Sequence, residues 1–115
     1  MKKNLLILLI FLIAPFISFS QAPNNLFVNL VYSDSAIVQW ERGSCGQLNY
    51  ILAFKDSTQS NWDSVLVNNN GLNTQVYNLG SLNSLTTYNW RVKCDTTWVN
   101  GQNFTTSSIF TFIFN

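Results

Sequence analysis

A chain of 115 residues, 47% hydrophobic and only 10% charged, with formal charge +1 and no histidine, has room for one domain and one modest core. The missing histidine removes the usual general base, the usual activator of a nucleophile and the commonest metal ligand. The near-zero charge leaves no basic surplus for nucleic acid or an anionic membrane surface.

The first twenty residues differ from the rest. Met1-Lys2-Lys3 is a short basic start, residues 5–13 are unbroken aliphatic and aromatic, Pro15 follows, and Ser18-Phe19-Ser20 sets small residues at alternate positions. That order is the order of a secretory signal peptide. A membrane anchor is the competing reading, but the apolar run is short of the ~20 residues a spanning helix needs, and Pro15 interrupts it. Residues 1–20 are therefore read as a signal peptide and residues 21–115 as the exported domain. No cysteine follows the expected cut, which argues against a lipid-anchored bacterial lipoprotein. Losing Lys2 and Lys3 turns the formal charge from +1 to −1 on 95 residues. The expected location is secreted, periplasmic or cell-surface, with no membrane contact after cleavage and no nucleic-acid partner.

From residue 26 onward the pattern has period two, the mark of half-buried strands, and no segment carries a helical stripe. Leu26, Val28 and Leu30 alternate, as do Ala36, Val38 and Trp40, and then Tyr50, Leu52 and Phe54. Trp62, Val65 and Val67 form a shorter strand, and Gln75, Tyr77 and Leu79 another. Tyr88, Trp90, Val92 and Cys94 alternate with Asn89, Arg91 and Lys93, and Phe110, Phe112 and Phe114 complete a set of seven. The gaps at 33–35, 43–46, 56–61, 68–71, 80–84 and 100–101 are rich in Asn, Asp, Ser and Gly, which suit turns. Short strands at this spacing without a helix predict an all-β, seven-stranded antiparallel sandwich. Cys45 and Cys94 are the only cysteines. In an exported chain an even count favours a disulfide, with two buried free thiols as the alternative.

Two candidate sandwich families both have seven strands. An immunoglobulin domain joins its second and sixth strands by a disulfide, keeps its tryptophan on the third, and places its corner tyrosine two residues before the second cysteine. Here Trp40 is on the second strand, Cys45 is in the following loop, and Tyr88 is six residues before Cys94. The fibronectin type III pattern fits better. Pro23 with Leu26 resembles that family's entry into its first strand. "SAIVQW" resembles its second strand with a core tryptophan, Trp40, and "YILAF" its third with a core tyrosine, Tyr50. "LNSLTTYNWRV" resembles its leucine, turn, threonine and tyrosine motif at Leu82, Thr86 and Tyr88, with Ser84 where proline is common. The resemblance spans nearly all of residues 21–115. It implies an immunoglobulin-like β-sandwich in which the Tyr88 hydroxyl bonds back to backbone near Leu82. It also implies that Cys45 and Cys94 lie at one end of the sandwich, paired as in similar exported bacterial modules.

Trp90, Val92 and Cys94 should then point inward, with Asn89, Arg91 and Lys93 facing water, because neighbouring strand side chains point oppositely. No catalytic, cofactor or metal site is expected. The acids Asp34, Glu41, Asp56, Asp63 and Asp95 scatter over loops and outward positions, and two cysteines without histidine cannot close a zinc site. Asn103-Phe104-Thr105 has the form of a glycosylation sequon, and Asp34-Ser35-Ala36 and Asp63-Ser64-Val65 resemble bacterial O-glycosylation acceptors.

Trp62 and Trp98 are the side chains with functional interest. An exposed tryptophan beside the cysteines can anchor a sugar ring or a partner protein. Otherwise Trp98 folds over the sandwich end and covers Cys45 and Cys94, and Trp62 packs on a sheet edge; this second placement is the expectation. The functional expectation is a secreted, monomeric, non-catalytic interaction or spacer module whose partner is a protein or polysaccharide. The alternatives are a carbohydrate-binding module using Trp98 and Trp62, or a truncated fragment of a larger multidomain surface protein.

Overall fold

A computed structural model describes residues 21–108. The expected signal peptide at residues 1–20 and the expected seventh strand at Phe110, Phe112 and Phe114 lie outside the described residues. The strands are β1 (Asn24–Val31), β2 (Ala36–Glu41), β3 (Asn49–Asp56), β4 (Asp63–Asn68), β5 (Thr74–Leu79), β6 (Thr87–Lys93), β7 (Val99–Asn100) and β8 (Phe104–Thr105). They form two antiparallel sheets, β1-β2-β5 and β4-β3-β6-β7, with β8 also on β6. The first six strands are those the alternation predicts. The region read as loop after Cys94 holds two short strands instead of none.

The break between β7 and β8 has a cause. Arg91 pairs with Asn100, but Tyr88 pairs with Phe104, so three residues of one strand face two of β6. This is a β-bulge. The Trp90 indole fills it: a Cβ on Gly101 would collide with the ring at Cε2 and Cζ2. The indole N–H donates to the Gln102 carbonyl at 2.8 Å, and the Gly101 amide donates to the Trp90 carbonyl at 3.0 Å. A second shift corrects β1. Val28 pairs with Val38 but Leu30 pairs with Ile37, so the alternation skips at Asn29. Leu30, expected inside, is 49% exposed, and Val31 takes its place against the core.

Trp40, Tyr50, Leu52, Trp90 and Val92 form the fully buried centre. Trp40 and Tyr50 meet edge to face at 5.3 Å, a geometry that suits the ring quadrupoles. Neither the Trp40 Nε1 nor the Tyr50 hydroxyl has a hydrogen-bond partner. Burial pushes the Tyr50 phenol above its ordinary value, against smaller opposing pulls from the nearby Trp40 indole and the Arg42 charge. Tyr88 stacks on Phe104 at 5.7 Å, and its hydroxyl accepts the Asn83 amide at 2.9 Å, as the resemblance implies. Thr106 closes the same corner: its hydroxyl donates to the Asn83 carbonyl at 2.6 Å and accepts the Thr86 amide at 2.9 Å. Leu85, in that turn, sits at φ 51°, an uncommon conformation for a bulky side chain, so both hydroxyls hold a turn that does not favour itself.

At the opposite end Cys45 and Cys94 form a disulfide with Cα atoms 6.0 Å apart. The start of the described chain straps this end. Gln21 Oε1 accepts the Gly46 amide at 3.0 Å, and Asp95 Oδ2 accepts the Gln21 amide at 3.4 Å. Gln75, almost fully buried, closes the 69–73 loop by donating to Leu72 O at 2.8 Å and accepting the Asn70 amide at 3.1 Å.

Tyr88→Phe should cost about 1 kcal/mol in urea unfolding, since it removes the part-buried bond from the Asn83 amide to the Tyr88 hydroxyl; an unchanged midpoint would show that the hydroxyl contributes nothing. The disulfide spans 49 residues. Reduction should therefore cost about 3–4 kcal/mol by chain entropy and lower Tm by on the order of 10 °C for a domain of this size. A melting curve indifferent to reductant would contradict that role.

Candidate functional site

The pleat of β6 decides the site. Its pattern alternates buried and half-buried residues along Thr87–Lys93, so Asn89, Arg91 and Lys93 stand on the outer face. On β3 the outward residues are Ile51, Ala53 and Lys55, which pair with Lys93, Arg91 and Asn89 respectively. Ala53 opposite Arg91 is small and leaves room above it. Two tryptophans from outside the strands fill that room, Trp62 just before β4 and Trp98 just before β7.

The Arg91 guanidinium lies 4.2 Å from the Trp62 ring centre and 4.2 Å from that of Trp98. Lys55 Nζ stands 5.2 Å from Trp62, and Lys93 Nζ 4.6 Å from Trp98. The order across the sheet is thus cation, ring, cation, ring, cation. Each contact falls within the range at which a positive charge is drawn to the ring quadrupole. Lys55 also donates to the Gln59 carbonyl at 2.9 Å, which fixes its stem along the β3 end.

This corrects two expectations. Arg91 does not simply face water: it is half-buried between two indoles, and its Nε is buried without a partner. Trp98 was expected over the disulfide; its ring lies instead on Arg91 and Lys93. Trp62 is at the β4 edge as expected, with its ring turned onto the sheet face. Asn89 Oδ1, beside this row, is also buried and unbonded. Asn89, Asn100, Asn103 and Trp62 line a cavity of about 230 Å³ together with Trp90 and Gly101. Beyond Lys93, Ile51, Leu48 and Leu66 floor a second hollow of about 310 Å³ that reaches Cys94 and Asp95.

No family model and no curated protein sequence matches the chain. Solved structures do. The fn3 domain of human collagen alpha-1(XX) chain is 24% identical with a TM-score of 0.64, covering 78% of this chain and 88% of that one. The FN5 domain of Drosophila Lar is 16% identical at a TM-score of 0.62, covering 78% and 99%. The FN1-FN3 domains of chicken CNTN1 are 14% identical at 0.65, covering 79% of this chain and 33% of that longer one.

The chain has the fibronectin type III fold.

On this fibronectin type III scaffold most of the acids lie on separate elements. Among the described residues no cluster of three or more His, Cys, Asp or Glu is placed to hold a metal. One pair departs from the scatter expected from sequence: Asp56 and Asp63 line the same 230 Å³ cavity at the β3–β4 hairpin, with Lys55 and Tyr88. The hairpin brings them together, which no spacing of seven residues announces. Asp56 is committed to its turn, since its Oδ1 accepts both the amide and the hydroxyl of Thr58 at 2.9 Å. Glu41 accepts from Asn25 Nδ2 at 2.9 Å on the other sheet, and Asp34 occupies the β1–β2 turn.

A double-mutant cycle of Arg91→Gln with Trp98→Ala should give a coupling of about 0.5–2 kcal/mol in unfolding free energy. Additive effects would mean that the two side chains merely lie side by side.

Proposed function

We propose that the chain is an exported, non-catalytic interaction module, and that its contact surface is the outer face of the β4-β3-β6-β7 sheet. The observation that carries this reading is the interleaved row Lys55–Trp62–Arg91–Trp98–Lys93. A sandwich needs its inner face filled and its outer face merely soluble. Two tryptophans and three long cations held on an outer face exceed that need, and aromatic residues with Arg are the usual anchors of a contact surface. Export is supported by the order of residues 1–20 and by the disulfide, which persists in oxidising compartments.

A carbohydrate-binding role for Trp98 and Trp62 has one observation in its favour, the cavity that Trp62 shares with Asn89, Asn100 and Asn103. Against it, each indole already has two cations within 5.2 Å of its centre. A sugar stacking on either ring would have to displace one of them.

The test is retention of fractionated cell envelope on the immobilised full exported chain. Lys93→Glu should weaken retention on the order of tenfold, the size expected for reversing one surface charge near a partner, with the native circular-dichroism spectrum retained. Phe27 and Val76 leave an apolar surface on the outer face of the other sheet. If Val76→Lys abolished retention and Lys93→Glu did not, that face would be the contact surface instead. Retention of nothing would leave a spacer.

A further inference from the structure

Residues 21–108 contain four positively charged side chains, Arg42, Lys55, Arg91 and Lys93, against five acids. Three of the four stand on the one face just described. Arg91 and Lys93 are two residues apart on β6, about 6.7 Å along the strand. Lys55 pairs with Asn89, one equal step the other way. The cations therefore occupy three successive rungs, with Trp62 and Trp98 filling the spaces between them.

Long cationic side chains are ordinarily mobile, and a ligand that fixes them must overcome their rotamer entropy. Here the indoles and the Gln59 carbonyl already hold them. A ligand carrying negative charge at regular intervals would meet a row that is set in advance, which favours binding without new contacts. Acids mark the ends of the row. Asp63 follows Trp62 directly in sequence, Asp56 shares the hairpin cavity with Lys55, and Asp95 shares the second hollow with Lys93. Asp56 and Asp95 are engaged by the Thr58 and Gln21 amides. They confine the positive stretch to three rungs and disfavour a densely charged polyphosphate, whose charges would overrun both ends.

We infer that this face binds an acidic polysaccharide of the polyuronate type, one carboxylate per sugar unit, through Lys55, Arg91 and Lys93, with Trp62 and Trp98 acting as spacers that position the cations. The inference rests on the outer sheet face being the contact surface. It differs from sugar stacking in what it requires: charge on the ligand, and cations rather than free ring faces on the protein.

Affinity electrophoresis of the full exported chain through gels containing polygalacturonate tests this, with neutral dextran and single-stranded DNA as comparators. The expected result is retardation by polygalacturonate alone, weakening as sodium chloride rises from 50 to 200 mM. Arg91→Gln risks the fold, so the decisive variant is Lys55→Gln with Lys93→Gln. It should lose on the order of tenfold in apparent affinity, the scale expected for two surface charge contacts, with its native circular-dichroism spectrum retained. Equal retardation by dextran would overturn the inference in favour of ring stacking, and equal retardation by DNA would reduce it to general polyanion attraction. No retardation by polygalacturonate, with Lys93-dependent envelope retention intact, would overturn only the ligand class. Failure of both would also remove the contact surface.

Discussion

Strand β6 faces two ways, and most of what is specific to this protein follows from that. Its inward residues Tyr88, Trp90 and Val92 complete the core, and its outward residues Arg91 and Lys93 build the half-buried cation–indole row. Because the pleat has period two, one register serves both sets, and a slip of one residue would exchange them. The register is held at both ends. The Tyr88 hydroxyl on the Asn83 amide fixes the start, and the Cys94 bridge to Cys45 fixes the residue just past the finish. Between them Trp90 occupies the bulge at Gly101, so the neighbouring strand can bond to β6 only in two short pieces.

The core and the outer face are stabilised by different physics. Inside, area removed from water and aromatic edge contacts dominate, and polar atoms are accepted only where tolerated. Trp40 Nε1 and the Tyr50 hydroxyl face the core without partners, a cost that the surrounding ring packing must offset. Outside, the gain comes from placing positive charge against ring quadrupoles in a half-wet setting, where the alternation of cation and ring keeps Lys55, Arg91 and Lys93 apart. A row of like charges would otherwise repel. The indoles make it possible to hold three cations on one small face of a domain whose balance is slightly acidic.

Alternation of at least three residues was readable as strand wherever a single face was buried throughout, as in β2, β3, β5 and β6. It failed where the ladder itself was irregular. Leu30 has the right parity for the core, but the skip at Asn29 is a property of pairing with β2 and leaves no mark in the hydropathy. Strands β7 and β8 are two residues each, too short for any period to show. Tyr88 was readable because its role depends on near neighbours, Leu82 to Thr86. Asp56 and Asp63 were not, because their shared cavity is a consequence of hairpin closure.

The amino-acid sequence by itself determined that residues 21–108 are all-β and that Trp40, Tyr50 and Tyr88 go inside; that Cys45 and Cys94 meet was implied by the family resemblance alone. The first two are outcomes of local periodicity, turn chemistry and a motif contained in a dozen residues. Only the tertiary structure decided what lies on the outer sheet face. Trp62 arrives from before β4 and Trp98 from before β7, and both reach Arg91 because four strands are laid side by side in the order β4-β3-β6-β7. Alternation says that Arg91 points away from the core; it cannot say what is waiting there, since that depends on which distant segments the sheet order brings alongside.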